Sequence, residues 1–238
     1  MEDADVESSS DAYARRFAGP VGEWFLAVQR EATLALMAPL GPGLRVLDVG
    51  GGHGQLAAPL ADAGHIVTVA GSSDACRHRV QPLVDAGRVR WSTGDLLRLP
   101  FEARAFDVAL AFRLLAHVGR WRELVAELCR VAARAVIVDY PSRRSANAAA
   151  SSLFAAKKKV EGDTRPFATF PDGDVDAAFA ASGFAVRQRR RQFAVPMAAH
   201  RALGIAGVSR VVEGLAGAAG ITGLAGSPVI ARADRVDG

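Results

Sequence analysis

From Asp48 to Gly54 the chain reads Asp-Val-Gly-Gly-Gly-His-Gly. Ordering four glycines in five positions is costly, because glycine loses more backbone freedom on folding than any other residue. Such a loop suits a place where the main chain must approach a ligand closely or turn with positive φ. It follows an apolar run, Leu44 to Val49, and leads into a helical stretch from His53. At a helix start the free N–H groups and the dipole favour negative charge. A diphosphate-binding loop reads G-x-G-x-x-G, but counting from Gly50 the third glycine position is Gln55, and no other start in the loop completes the pattern. No G-K-[ST] of a phosphate loop follows either. The pattern present is Asp48-x-Gly50-x-Gly52-x-Gly54.

Other residues offer complementary chemistry. The Asp95 carboxylate can accept a hydrogen bond from an aromatic amine, and the N–H of Leu96 can donate to a ring nitrogen. Arg113 can meet an anion. Of the five histidines, His117 is the first candidate for a general base near neutral pH, a helix-start packing role being the alternative. His53 is read as a helix cap, His200 as a residue of a lid helix, and His65 and His78 as structural or exposed.

These residues need a scaffold, and the hydrophobic pattern supplies one. Strands are predicted at Leu44 to Val49, His65 to Ala70, Val89 to Ser92, Phe106 to Phe112, Ala135 to Tyr140, Phe184 to Val195 and Val229 to Ala233. Helices are predicted at 11–38, His53 to Ala63, Ser73 to Ala86, Trp121 to Ala133, Ala146 to Val160, Asp174 to Ala181 and Met197 to Ala216. Short apolar strands alternating with helices imply a mostly parallel sheet covered on both faces, with ligands at the carboxyl ends of the strands. Gly214 to Ala231 carries no charge but owes its apolarity to Ala and Gly. It is read as a tightly packed helix, turn and strand rather than a membrane span.

The glycine loop, Ser92-Thr93-Gly94-Asp95-Leu96, Leu99 to Val118 and Ala178 to Phe184 together resemble, in order and spacing, the class I S-adenosylmethionine-dependent methyltransferases. Within that family the pattern resembles small-molecule enzymes of the ubiquinone and menaquinone type. The resemblance implies an α/β fold with a Rossmann-like, seven-stranded, mostly parallel sheet, helices on both faces, an N-terminal helical cap and lid insertions. It divides a single domain, 1–238, into a cap (1–40), a cofactor-binding core (41–140) and a substrate-side half (141–238). It implies S-adenosyl-L-methionine as cofactor, held by Asp48, Gly50, Gly52, Gly54, Asp95 and Leu96, with Phe112 and Arg113 beside it. One departure stands out. The family's second strand ends in an acid that holds the ribose, whereas here the chain runs Val69-Ala70-Gly71-Ser72-Ser73-Asp74. The ribose contact is therefore assigned to the Gly71 backbone and Ser72, with Ser73 and Asp74 as alternatives.

The expected reaction is O- or C-methylation of a small hydrophobic or aromatic acceptor. Phe17, Trp24, Phe167 and Phe170 lie in segments that can close over the cofactor, packing of the cap against the core being the alternative for each. Two alternatives stay open. One is a catalytically silent protein that binds S-adenosylmethionine or supports a partner. The other is an RNA methyltransferase, although Ala111-Phe112-Arg113-Leu114 lacks the Asn- or Asp-Pro-Pro pattern of base-amine enzymes. Net charge is +4, from 29 basic and 25 acidic residues, too modest to call for a nucleic-acid partner. The acidic start MEDADVESSSD lacks a secretory signal, and two cysteines suit a reducing compartment, so a cytoplasmic location without a transmembrane segment is expected.

Overall fold

The computed structural model describes residues 3–145 and 167–236; the predicted helix at Ala146 to Val160 and the Lys157 to Lys159 run lie outside them. Seven strands form one sheet: β1 Arg45–Val49, β2 Ile66–Gly71, β3 Arg90–Thr93, β4 Phe106–Ala111, β5 Ala132–Tyr140, β6 Phe184–Phe193 and β7 Ser227–Arg235. Their order is β3-β2-β1-β4-β5-β7-β6. β7 runs antiparallel to both neighbours, and the pairings from β3 to β5 are parallel. All seven strands lie where the hydrophobic pattern predicts them.

Side chains alternate across the strands, so each central strand feeds two cores. On one face Leu47, Val49, Ala109 and Val136 pack with Leu124 and Leu128 of α6, Trp121–Val131, and with Phe179 of α7, Asp172–Ala180. The amphipathic spacing of α6, with Leu124, Val125, Leu128 and Val131 buried, presents one apolar stripe to the sheet. On the other face Val46, Val108, Leu110 and Ile137 pack against Leu36 and Met37 of α3, Gly19–Met37, and against Leu60 of α4, Ala57–Asp62.

The helix predicted at His53 to Ala63 is shortened to α4, Ala57–Asp62, and three others are broken. The stretch 11–38 divides into α2, Asp11–Ala14, a tight turn at Arg15–Phe17, and α3. Pro20 cannot continue a helix but can start one, and a Cβ on Gly22 would stand 2.2 Å from the Phe17 backbone, so the turn folds flat onto the new helix. The stretch Ser73 to Ala86 becomes a 3-10 turn at Asp74–Arg77 and a short α5, Gln81–Asp85, restarted by Pro82. The Met197 to Ala216 helix stops at Gly204, whose φ of +71° ends α8, Met197–Leu203, before α9, Ala206–Ala218.

The expectation of tight packing over Gly214 to Ala231 holds only for its strand. α9 and the short α10, Ile221–Ala225, leave Leu215 67% and Leu224 75% exposed. Near the N-terminus a further short helix, α1, Ala4–Ser8, buries Ala4, Asp5 and Ser8.

Candidate functional site

The strand order reverses between β1 and β4, because β1 continues to β2 on one side while β4 continues to β5 on the other. A crevice opens beyond the carboxyl ends of the strands at such a point. The glycine loop leaves the tip of β1 and Arg113 follows the tip of β4, so the two face each other across it. Gly50 and Gly54 adopt φ of +71° and +79°, which side-chain-bearing residues rarely tolerate. Gly51 and Gly52 answer a different need. A Cβ on Gly51 would lie 2.2 Å from the Asp48 carboxylate, and one on Gly52 would lie 2.3 Å from Ser9 Oγ and 2.4 Å from the Cys76 carbonyl. Arg113 itself has φ of +55°, a strained conformation for a non-glycine residue and one that clusters at functional sites.

Around this crevice lies an unusual set of buried polar atoms. Asp48 Oδ1, both ring nitrogens of His53, Gln55 Oε1, and Arg113 Nε and Nη1 have no hydrogen-bond partner among the described residues. They surround a space of only about 10 Å³. Burial raises the Asp48 carboxyl to about 7, against the opposing pull of Arg113. Burial, with repulsion from Arg113 and Arg79, lowers His53 to about 3, so its ring is neutral near pH 7. The Arg113 guanidinium lies 4.9 Å from the Phe17 ring centre and 5.7 Å from that of Tyr13, and both rings also stand edge-on to His53. The Arg113 backbone N–H donates to Asp139 Oδ1 at 2.5 Å, and Gln29 Nε2 donates to Asp139 Oδ2 at 3.0 Å. Gln55 Nε2 donates in turn to Gln29 Oε1, tying α3 to the loop. Burial, moderated by these donors and by the Arg113 charge, raises Asp139 to about 6.

The tip of β2 explains the missing acid. A Cβ on Gly71 would stand 2.5 Å from the Trp91 ring and 3.2 Å from Cys76 Cβ, leaving no room for a side chain. A carboxylate arrives there from elsewhere. Asp5 of α1 is fully buried and accepts from the Ser72 N–H at 2.8 Å and from the Ser72 hydroxyl at 2.5 Å. With Ser9 against Gly52, and Asp5 Cβ 3.5 Å from where a Cβ on Gly50 would stand, α1 lies on the face of the glycine loop. Ser73 Oγ accepts from the Ala75 N–H, and Asp74 accepts from the Thr93 hydroxyl, so neither is directed to the loop. Asp95 accepts from the Leu97 N–H at 3.0 Å, and Leu96 is fully buried. Because Gly71 pairs with Thr93 and Val49 with Ala70, Asp95 stands at the same sheet end as the loop, two strands or about 10 Å away.

Beside Arg113 the crevice widens into a cavity of about 420 Å³ lined by Tyr13, Phe17, Phe25, Phe167, Phe193 and Met197, with Arg16, Arg113 and Arg201 as its cations. His117 lines it too, its ring 5.7 Å from that of Phe167. Of the four aromatics placed in segments that can close over the cofactor, Phe17 and Phe167 line the cavity. Trp24 packs instead against Phe25, Phe193 and His200, and Phe170 against Trp121 and Tyr140.

The structure thus brings Asp48, Gly50, Gly52, Gly54, Phe112 and Arg113 together at the β1 and β4 tips, and His117 onto the adjoining wall. Gly71 and Ser72 stand one strand away, under Asp5. Two histidine readings are corrected. His53 is buried between aromatic rings, and His200 is buried with Nε2 2.9 Å from Glu213 rather than projecting from a lid. Sequence reasoning passed over Asp5, Tyr13, Gln29 and Asp139. Only Asp139 carried a readable signal, a lone carboxylate near the end of the apolar run Ala135 to Tyr140, where burying a charge demands partners.

Comparison with known proteins agrees with this fold. Residues 46–135 match the family model described as a methyltransferase domain. An O-methyltransferase of Pyrenophora dematioidea is 30% identical over 96 residues, 38% of this chain and 36% of that protein. The matched stretch spans less than half the length of that protein and of relatives from Mycobacterium bovis and Mycobacterium avium, 32% and 35% identical. Over the whole fold, the chain is similar to the magnesium protoporphyrin IX methyltransferase of Synechocystis with bound S-adenosylhomocysteine, at a TM-score of 0.66 with 18% identity, covering 94% of this chain and 93% of that one. It is also similar to the [4+2]-cyclase SpnF, at a TM-score of 0.60 with 21% identity over 89% and 82%. The chain therefore has the class I methyltransferase fold and, across residues 46–135, the sequence pattern of the methyltransferase domain.

Proposed function

We propose that this protein transfers a methyl group from S-adenosylmethionine to a small, apolar, ring-containing acceptor that carries an anionic group. The observation that carries the reading is the pairing of an unsatisfied Asp48 carboxylate oxygen and an unsatisfied Arg113 guanidinium across the glycine loop, next to an aromatic cavity. That pair complements the ammonium and carboxylate of an α-amino acid. The bare backbone at Gly50 to Gly54 admits the rest of a nucleoside-linked amino acid at close range. When bound, S-adenosylmethionine supplies a methyl group already activated on a sulfonium, so the chain's work is alignment and exclusion of water.

Asp48 would hold the ammonium, Arg113 the carboxylate, Ser72 and the Gly71 backbone the ribose, and Asp95 with the Leu96 N–H the adenine. The cavity rings would position the acceptor, with Arg16 and Arg201 taking its anionic group. His117, on the cavity wall, would receive the acceptor proton in an O-methylation. α1 shares the face of the loop with the donor, so Asp5 and Ser9 must leave before the donor loads.

A second reading, a protein that binds the donor without transferring methyl, is favoured by the seat of α1 on the loop. The likeness to a cyclase supports the same reading, because this fold serves other reactions. Calorimetric titration of the full chain with S-adenosylmethionine and with NADH tests the site: binding of the first alone is expected, and binding of neither removes the reading. Incorporation of labelled methyl from a metabolite extract then separates transfer from silent binding. In that assay His117→Gln is expected to lower kcat by about 100-fold for an oxygen acceptor while leaving KM within a factor of about three.

A further inference from the structure

Between β6 and β7 the chain runs from Ala194 to Gly226 through α8, α9 and α10 and leaves an apolar surface uncovered. Ile205, Val211, Leu215, Ile221 and Leu224 are each at least half exposed. Isolated exposed aliphatic residues are ordinary on a soluble protein, but a run of them along one excursion marks an interaction surface. The charges of the excursion are one-sided. Arg201 and Arg210 are exposed. Glu213, its one acid, is turned inward with its side chain 9% exposed, accepting from the N–H groups of Ala194 and Val195 at 2.9 Å each and facing His200 Nε2 at 2.9 Å. The excursion therefore shows solvent large aliphatic side chains and arginines, with no exposed acid of its own.

That combination selects among occupants. A second copy seated on the same face would set Arg210 against an equally acid-free surface. A spanning role is closed to these helices, since among the described residues no helix is long and apolar enough to cross a membrane. A bilayer with anionic headgroups satisfies both features, because aliphatic side chains enter the acyl boundary while arginines meet headgroup phosphates. We propose that α8 to α10 dock the protein on an anionic lipid bilayer surface. The same excursion supplies Met197, Ala198 and Arg201 to the wall of the aromatic cavity, so docking places the cavity mouth beside the lipid. Resting on the function proposed above, the acceptor class is then a lipophilic molecule with an anionic group, drawn from the membrane rather than from bulk water.

Vesicle flotation of the full chain tests the docking, with phosphatidylcholine alone compared with phosphatidylcholine containing phosphatidylglycerol. The chain is expected to float with the anionic vesicles, to lose most of that binding at high salt, and to stay behind with uncharged ones. The double variant Leu215→Gln with Leu224→Gln is expected to lower the partition coefficient at least about tenfold while keeping the parent melting temperature, because both side chains are already solvated. Arg210→Gln is expected to lower it about fivefold. Failure to float on anionic vesicles overturns the docking, as does flotation unchanged in the double variant or equal on both vesicle types. A dimer in sedimentation velocity that the double variant dissolves, with no flotation, assigns the face to a second copy and overturns it too. Flotation needs no methyl donor, so its failure is distinct from failure of the donor titration.

Discussion

The two ends of the crevice are built on opposite principles. At the glycine loop the space is about 10 Å³, walled by main chain and by buried, unsatisfied polar atoms, and covered by α1. A few residues away it is about 420 Å³, walled by aromatic rings with arginines among them. The narrow end can recognise only a ligand that brings its own charges, since Asp48 and Arg113 stay unsatisfied without one. The wide end can accept many flat apolar molecules and discriminates by shape. The proposed transfer from a fixed donor to a variable acceptor would require such a division, and it falls along the fold: the narrow end sits on strand tips, the wide end largely on the N-terminal helices and connections.

The contrast breaks most visibly at Arg113. If its guanidinium holds the donor carboxylate, Arg113→Gln removes a charge-assisted pair of about 3 kcal/mol and weakens S-adenosylmethionine binding about 100-fold in a calorimetric titration. Phe193→Ala at the wide end is expected to leave that affinity within a factor of about two, because the ring is fully packed in the cavity wall and away from the loop. Equal losses from the two variants would mean that the ends are one site.

A change of pH sharpens the same contrast at the narrow end. Asp48 must be ionised to hold an ammonium, and burial raises it from 3.8 to about 7. Donor affinity should therefore rise about tenfold from pH 6 to pH 7.5 and then level, with proton release visible as a buffer dependence of the binding enthalpy. The stability of the unliganded chain moves the other way. Between the ordinary carboxyl value and about 7 the native state binds the Asp48 proton more tightly than the unfolded state. The contribution of this group to stability therefore falls as pH rises through that window. Asp48→Asn should flatten both dependences, the first in calorimetry and the second in melting curves.

How much of this was legible in the sequence follows from how local each feature is. The seven strands, the loop at the tip of β1 and Arg113 after β4 are each written in consecutive residues, through short apolar runs between turn signals and glycine at positions with positive φ or no room for a Cβ. The missing acid after β2 was also legible, but its cause was not. Trp91 closes the space beside Gly71 from a neighbouring strand, some twenty positions later in the chain. Asp5 was beyond reach for the same reason. A carboxylate in a polar N-terminal stretch reads as solvated, and only tertiary packing delivers it to Ser72, 67 positions away. The breaks in three helices were marked by Pro20, Pro82 and Gly204, whose force as punctuation outweighed the hydrophobic spacing around them. The aromatic cavity draws on residues from Glu7 to Pro228, so no single stretch announces it.

The smallest expected effect is also the most discriminating, because two contributions oppose at Ser72. In the full chain its N–H and hydroxyl both hold Asp5, which seats α1 on the loop, and the same groups would hold the ribose once α1 has left. Removing α1 by starting the chain at Ser10 keeps the hydroxyl cap that Ser10 provides to the Tyr13 N–H and frees the loop. Less the entropy of ordering α1, the lost Asp5 contacts correspond to a net of about 1 kcal/mol, so donor affinity should rise about fivefold. Ser72→Ala in the full chain loosens α1 and weakens the ribose contact together, and its dissociation constant should shift by less than about twofold. In the shortened chain only the ribose contribution remains, and the same substitution should weaken binding about fivefold. A double-mutant cycle over Ser72 and the α1 segment therefore reads the competition as a coupling that neither variant shows alone. Additive effects would mean that α1 and the donor occupy the crevice side by side. In that case Asp5, carried in from the far end of the chain, would be the carboxylate that β2 lacks.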